Sequence, residues 1–123
     1  MSIYQNKCVF WDRDGVLTRL IEKNGKFRSP WTLAEVEYFP GVEKALQRTR
    51  KLGFLNIIVT TQPDVATGEM LAPDLYLIND MMKQTLPLDY ICYCLDRSSE
   101  YYKPLPGMIW LAQKNYDIDL SKS

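Results

Sequence analysis

Cys8-Val9-Phe10-Trp11-Asp12-Arg13-Asp14-Gly15-Val16-Leu17 sets an apolar run directly against two carboxylates. The run Cys8 to Trp11, bounded by Asn6-Lys7 on one side and Asp12 on the other, has the pattern of a short strand buried on both faces. Asp12 and Asp14 lie two apart and so share a face. One carboxylate of such a pair can attack phosphorus while the other serves as acid and then base. Gly15 lets the backbone turn sharply beneath them. The same string also suits a solvated acidic turn, and the rest of the chain decides between the two.

Outward from this strand, the spacing predicts alternating elements. Thr18 to Pro30 carries Arg19, Glu22, Lys23, Asn24, Gly25, Lys26 and Arg28 without a period and is expected to be a long, mostly basic loop. Val42, Ala45, Leu46 and Thr49 form a helical stripe running to about Leu52, with Gly53 placed for a left-handed cap. Phe54 to Thr60 reads as a second buried strand, and Thr60-Thr61-Gln62-Pro63-Asp64 as a loop. Leu71, Leu75, Ile78 and Met82 mark a second helix closed by Pro87. Leu88 to Cys94 gives a third strand, and Pro106 to about Asn115 a third helix. Such alternation predicts an α/β fold, an open, doubly wound (Rossmann-like) parallel sheet with helices on both faces. Ligands of these sheets bind beyond the carboxyl ends of the strands, where Asp12, Thr60 and the loop after Cys94 fall.

Composition narrows the chemistry. The 123 residues, 46% hydrophobic, suit one domain covering residues 1–123 with a real core. Fifteen basic residues balance fifteen acidic ones, so no global field gathers nucleic acid or anionic lipid. There is no histidine, which removes Ser-His-Asp and Cys-His catalysis and every histidine-ligated metal site. Cys8, Cys92 and Cys94 make an odd set with two members only two apart, which argues against a disulfide framework and fits a reducing cytoplasm. Met1 to Lys7 has no charged region followed by an apolar run, and no stretch is long enough to span a bilayer, so a soluble, unexported protein is expected. Nothing in the sequence sets an oligomeric state.

Two further residues bear on the carboxylate pair. Thr60 ends an apolar strand, where its hydroxyl and the following N–H groups can bind phosphate oxygens, or where a threonine can simply cap a turn. Lys103, in Tyr101-Tyr-Lys-Pro-Leu-Pro-Gly107, precedes a proline-fixed turn and a helix that could hold its ammonium near the nucleophile; by itself it could equally be a surface lysine.

In this order and spacing the chain resembles the haloacid-dehalogenase (HAD) superfamily: a strand ending Asp-x-Asp-Gly, a strand ending in Thr or Ser, then a lysine. Phe10 to Leu17, Val59-Thr-Thr-Gln62, Lys103-Pro-Leu-Pro-Gly-Met108 and Asp117 to Ser123 are similar to its D,D-heptose 1,7-bisphosphate phosphatase and histidinol-phosphatase branch. The resemblance covers nearly the whole chain and implies a HAD-like core with no large cap domain. It implies Asp12 as the nucleophile forming an aspartyl-phosphate, Asp14 as acid and base, Thr60 as a phosphate ligand and Lys103 as the charge-neutralising group. It further implies substrate contacts from Arg13, Gly15, Thr61 and Gln62, and Mg²⁺ held by the Asp12 carboxylate and the Asp14 backbone carbonyl. The expected substrate is a small phosphate ester, a sugar phosphate or bisphosphate.

The chain also departs from that pattern. The branch normally continues into a strand and loop with further acidic metal ligands, so the chain is expected to be truncated before this fourth motif. Weakened Mg²⁺ binding, slow or no turnover, and a sheet edge left open beside strand one or its neighbour follow from that expectation. Many relatives bind zinc with four ligands near the lysine; here Cys92 and Cys94 remain while Ser99 and Tyr101 replace thiolates, and no zinc is expected. Tyr102 stands where an arginine grips a distal phosphate, and Thr61 where asparagine is usual. The basic loop at Arg19, Lys23, Lys26 and Arg28 reads first as a solvated charged loop, and could alternatively supply substitute anion contacts. Two rival readings are a receiver domain, whose phospho-acceptor Asp would sit on a later strand than the first, and a HAD fold retained as a non-catalytic binding module.

Overall fold

The computed structural model describes residues 3–123. Met1 and Ser2, at the start of the stretch read above for an export leader, lie outside the described residues. In chain order the elements are β1 (Cys8–Trp11), β2 (Ile21–Lys23), β3 (Lys26–Arg28), α1 (Val42–Lys51), β4 (Leu55–Thr61), α2 (Pro63–Ala66), α3 (Ala72–Thr85), β5 (Tyr90–Cys94) and α4 (Gly107–Tyr116). Single 3₁₀ turns add Leu33–Glu35 and Leu120–Lys122. Strands β1, β4 and β5 form one parallel sheet in the order β1-β4-β5, with Phe10 opposite Ile57 and Thr60 opposite Tyr93.

Each face of that sheet carries its own apolar layer. Ile58 and Ile91 face α1 through Val42 and Leu46 and α3 through Leu75, Ile78 and Met82. Ile57, Val59, Cys92 and Cys94 face α4 through Met108 and Ala112. A strand whose alternate side chains must both be buried has to be apolar throughout, which is why β4 reads as a continuous run. Leu46, Leu75, Ile78 and Met82 are wholly buried, so truncating any one to alanine is expected to cost about 2–5 kcal/mol. Helices therefore cover both faces of the sheet, the doubly wound arrangement expected from the alternation.

Helix α1 shows how sequence sets the ends of an element. Gly41 stands before it at φ 85°, a conformation glycine adopts without steric cost, Glu43 lies in the first turn, and Arg48, Arg50 and Lys51 lie in the last. These charges oppose the helix dipole at both ends.

The expected loop at 18–30 is instead an antiparallel hairpin, β2 against β3, with Lys23 opposite Lys26. Its turn is Asn24-Gly25, at φ 55° and 76°, and an Asn-Gly pair with both residues at positive φ is the favoured two-residue hairpin connection. The aperiodic charges masked that signal. The expected loop after Thr60 likewise contains α2, one helical turn opened by Pro63. At the outer side of β1, Asn6 pairs with Ile118 and the Cys8 N–H donates to Ser123 Oγ at 3.0 Å, so the segment after α4 covers part of that edge. Among the described residues no helix is long and apolar enough to cross a membrane.

Candidate active site

The carboxyl ends of β1 and β4 and the turn before α4 meet on one rim of the sheet. Asp12 follows β1 directly and is half exposed, its side chain 49% accessible. Its Oδ1 accepts from its neighbour's backbone, Arg13 N, at 2.8 Å and from Lys103 Nζ at 3.0 Å. Lys103 also donates to the Val59 carbonyl at 3.1 Å, so its ammonium is fixed between β1 and β4 rather than free in solvent. Asp12 Oδ2 takes no donor among the described residues. A carboxylate with one oxygen held by a cation and the other open at a concave strand end is arranged as a nucleophile toward an anion.

Beneath Asp12 lies a buried polar group that sequence spacing did not reveal. Gly15, at φ 82°, turns the chain back so that its N–H bonds to the Thr18 carbonyl at 2.7 Å. Four side-chain donors from three residues reach the Asp14 carboxylate there. Arg13 grips it bidentately, Nε to Oδ1 at 2.8 Å and Nη2 to Oδ2 at 3.1 Å. Thr18 Oγ1 donates to Oδ1 at 2.9 Å and Gln62 Nε2 to Oδ2 at 2.6 Å. Arg13 is wholly buried, where an unpaired guanidinium would be costly, and Asp14 is its charge partner in the structure. From α3, Asn79 Oδ1 accepts from Arg13 Nη1 at 3.4 Å.

Thr60 and Gln62 are also buried, and Gln62 Nε2 makes a second bond to Thr60 Oγ1 at 3.0 Å. Thr61 is half buried on the opposite face of β4, and Gly15 is exposed. The structure thus brings Asp12, Asp14, Thr60 and Lys103 to one rim, with Gly15 and Thr61 open to it and Arg13 and Gln62 directed inward. Thr18 and Asn79 were not singled out; their signal is a polar residue falling within an otherwise apolar, buried face.

The surroundings bear on the departures noted above. Tyr102 is partly buried and packs against the α4 layer. Cys92 and Cys94 are buried in that same layer, and burial pushes the Cys92 thiol up to about 11. Among the described residues no cluster of three or more Cys, Asp or Glu could hold a metal. On the basic insert, Arg28 stacks on Trp31 and pairs with Glu35 at 2.7 Å, and Arg19 stacks on Phe39. Lys23 and Lys26 remain exposed. Trp31 Nε1 donates to Asp64 Oδ2 at 2.8 Å, tying the insert to α2 beside the rim. Cavities of about 460 Å³ along β5 and about 510 Å³ at the hairpin are lined by residues other than Asp12, Asp14, Thr60 and Lys103.

An open parallel sheet with helices on both faces, a solvent-exposed aspartate at the end of its first strand, a second aspartate two residues on and a lysine reaching back to the first are the features of a HAD-type phosphatase core. Comparison with models of known protein families finds none that matches. Among curated proteins, the D-glycero-beta-D-manno-heptose-1,7-bisphosphate 7-phosphatase of Haemophilus influenzae is 30% identical over 132 residues, covering 96% of this chain and 68% of the relative. The D-glycero-alpha-D-manno-heptose-1,7-bisphosphate 7-phosphatase of Burkholderia mallei is 29% identical over 137 residues, covering 97% and 68%. A solved structure of D,D-heptose 1,7-bisphosphate phosphatase from B. bronchiseptica, complexed with magnesium and phosphate, superposes with a TM-score of 0.77 at 27% identity, covering 92% of this chain and 65% of that one. The chain belongs to the heptose-1,7-bisphosphate 7-phosphatase family of phosphoric monoester hydrolases. It spans about two thirds of the length of these relatives.

Proposed function

We propose that this chain is a Mg²⁺-dependent phosphatase acting on a small phosphorylated sugar, such as D-glycero-D-manno-heptose 1,7-bisphosphate, through an aspartyl-phosphate on Asp12. The observation that supports it most is the Asp12–Lys103 pair at 3.0 Å on an open strand end. Asp12 attacks phosphorus, the bond from phosphorus to the ester oxygen breaks, and Asp14 gives that oxygen its proton. Asp14 then takes a proton from water, which attacks phosphorus and releases Asp12. Lys103 offsets the repulsion between the Asp12 carboxylate and the phosphate throughout. Thr60, together with Gly15 and Thr61, forms the polar wall facing the phosphate.

The oxygen donors suit a hard cation: the Asp12 carboxylate and the Asp14 carbonyl, which takes no hydrogen bond among the described residues, are where Mg²⁺ would be held. When bound, it supplies charge neutralisation at the phosphate oxygens. Three free thiols, all buried, suit a reducing compartment, and the proposed location is the cytoplasm.

Phosphate release from a panel of sugar mono- and bisphosphates, with Mg²⁺ and with excess chelator, tests the reading. Turnover that needs Mg²⁺ and disappears in Asp12→Asn, whose fold by circular dichroism is unchanged, is expected. Turnover by Asp12→Asn near the unsubstituted level would remove Asp12 from the chemistry.

A further inference from the structure

Gln62 is wholly buried, yet its amide is only half satisfied. Nε2 donates to two acceptors, Asp14 Oδ2 at 2.6 Å and Thr60 Oγ1 at 3.0 Å, while Oε1 is buried with no partner among the described residues. A buried acceptor left unpaired is destabilising, so stability alone does not explain the residue. Rotating the amide would relieve nothing, because Oε1 would then face the Asp14 carboxylate, acceptor against acceptor. The nitrogen is therefore held toward the site. Its two partners come from different parts of the chain: Asp14 from the turn after β1, Thr60 from the end of β4.

From this geometry we propose that Gln62 is a positioning residue that fixes the acid/base Asp14 relative to the phosphate-facing Thr60, a role that rests on the phosphatase reading above. Arg13 and Thr18 hold Asp14 from its own turn, and Gln62 is the donor that ties the carboxylate to the neighbouring strand. The Gln62 N–H bonds in turn to the Cys94 carbonyl at 2.9 Å, so the residue is itself anchored to β5. Because Thr60 Oγ1 already accepts the Gln62 amide, the hydroxyl's own proton is left to point toward an oxygen acceptor such as phosphate. Gln62 touches neither the reacting phosphorus nor the leaving group; it acts through Asp14 and Thr60.

The test is the leaving-group dependence of Gln62→Met, which conserves volume, removes both donors and removes the orphan acceptor as well. With Mg²⁺ and high enzyme concentration, kcat/KM is measured on the sugar bisphosphate, on ethyl phosphate and on p-nitrophenyl phosphate. Alkoxide leaving groups need a proton from Asp14, whereas p-nitrophenolate leaves without one. The expected result is a loss of about tenfold or more on both alkyl substrates and about threefold or less on p-nitrophenyl phosphate, with the midpoint of thermal unfolding little changed. Equal losses on all three substrates would make the role structural, and a loss on the sugar alone would make Gln62 a direct sugar contact; either overturns the proposal, as does no loss at all. In a readout that needs no turnover, the side-chain amide protons of Gln62 should resist exchange with solvent and lose that protection in Asp14→Ala; unchanged protection would also count against it. Failure of the unsubstituted protein to hydrolyse any of the three would instead sink the phosphatase reading, and the positioning role with it.

Discussion

Asp12 and Lys103 are 91 positions apart in the chain and 3.0 Å apart in the fold, and on the proposed reading the lysine offsets negative charge at Asp12. Replacing it with an uncharged side chain of similar length leaves the carboxylate and an incoming phosphate to repel each other. Lys103→Met is therefore expected to lower kcat/KM by about 10²–10³-fold with the unfolding midpoint nearly unchanged, measured by steady-state phosphate release and thermal melting. A fall of less than threefold would show that the lysine is a surface residue after all. Asp12 and Thr60 were legible because each closes an apolar run and so announces the end of a strand, and Lys103 because it precedes a proline-fixed turn. What surrounds Asp14 was not, since Thr18 and Asn79 are brought in by a reversal at Gly15 and by packing of α3, neither of which leaves a periodic trace, and Gln62 was expected only as a substrate contact.

Elements were legible where a period ran long enough to register. Strands β1, β4 and β5 and helices α1, α3 and α4 each fall within a few residues of the stretches expected from apolar spacing. The hairpin was missed because its strands are three residues each, too short for alternation to show through their charges, and only Asn24-Gly25 marked it. Strand β4 contains a residue that propensity would place elsewhere. Asn56 is wholly buried, accepts from Trp11 Nε1 at 3.0 Å and Thr49 Oγ1 at 2.6 Å, and donates to the Leu46 and Pro87 carbonyls at 2.8 and 3.0 Å. It fastens β1, α1 and the α3–β5 connection to one point. Asn56→Ala, which orphans several buried groups at once, is expected to cost about 3–5 kcal/mol in urea unfolding, well above the ~1 kcal/mol of an ordinary substitution. A cost near the ordinary value would mean that the network stabilises little.

Across the whole molecule, two apolar layers hold the sheet, and all three thiols are buried, Cys8 and Cys92 well inside the layer under α4. Burial pushes the Cys8 thiol up to about 12 and the Cys92 thiol up to about 11, against 9.0 when unperturbed. Both folded values lie above the unfolded one, so the folded state keeps its protons where the unfolded chain releases them. Stability is therefore full below about pH 9 and declines as pH rises toward 11 and 12. Urea midpoints between pH 7 and 10.5 should fall along that window, and the thiols of the folded protein should resist an aromatic disulfide reagent until it unfolds; rapid reaction at pH 8 without unfolding would contradict the burial. The sheet so held presents one rim, and the central claim is that chemistry there passes through a covalent bond to Asp12. Borohydride added during turnover with Mg²⁺ reduces an aspartyl-phosphate to homoserine, which peptide mass spectrometry locates. The account predicts that change at position 12 and its absence without substrate; turnover with the change at position 14, or at no aspartate, would contradict it.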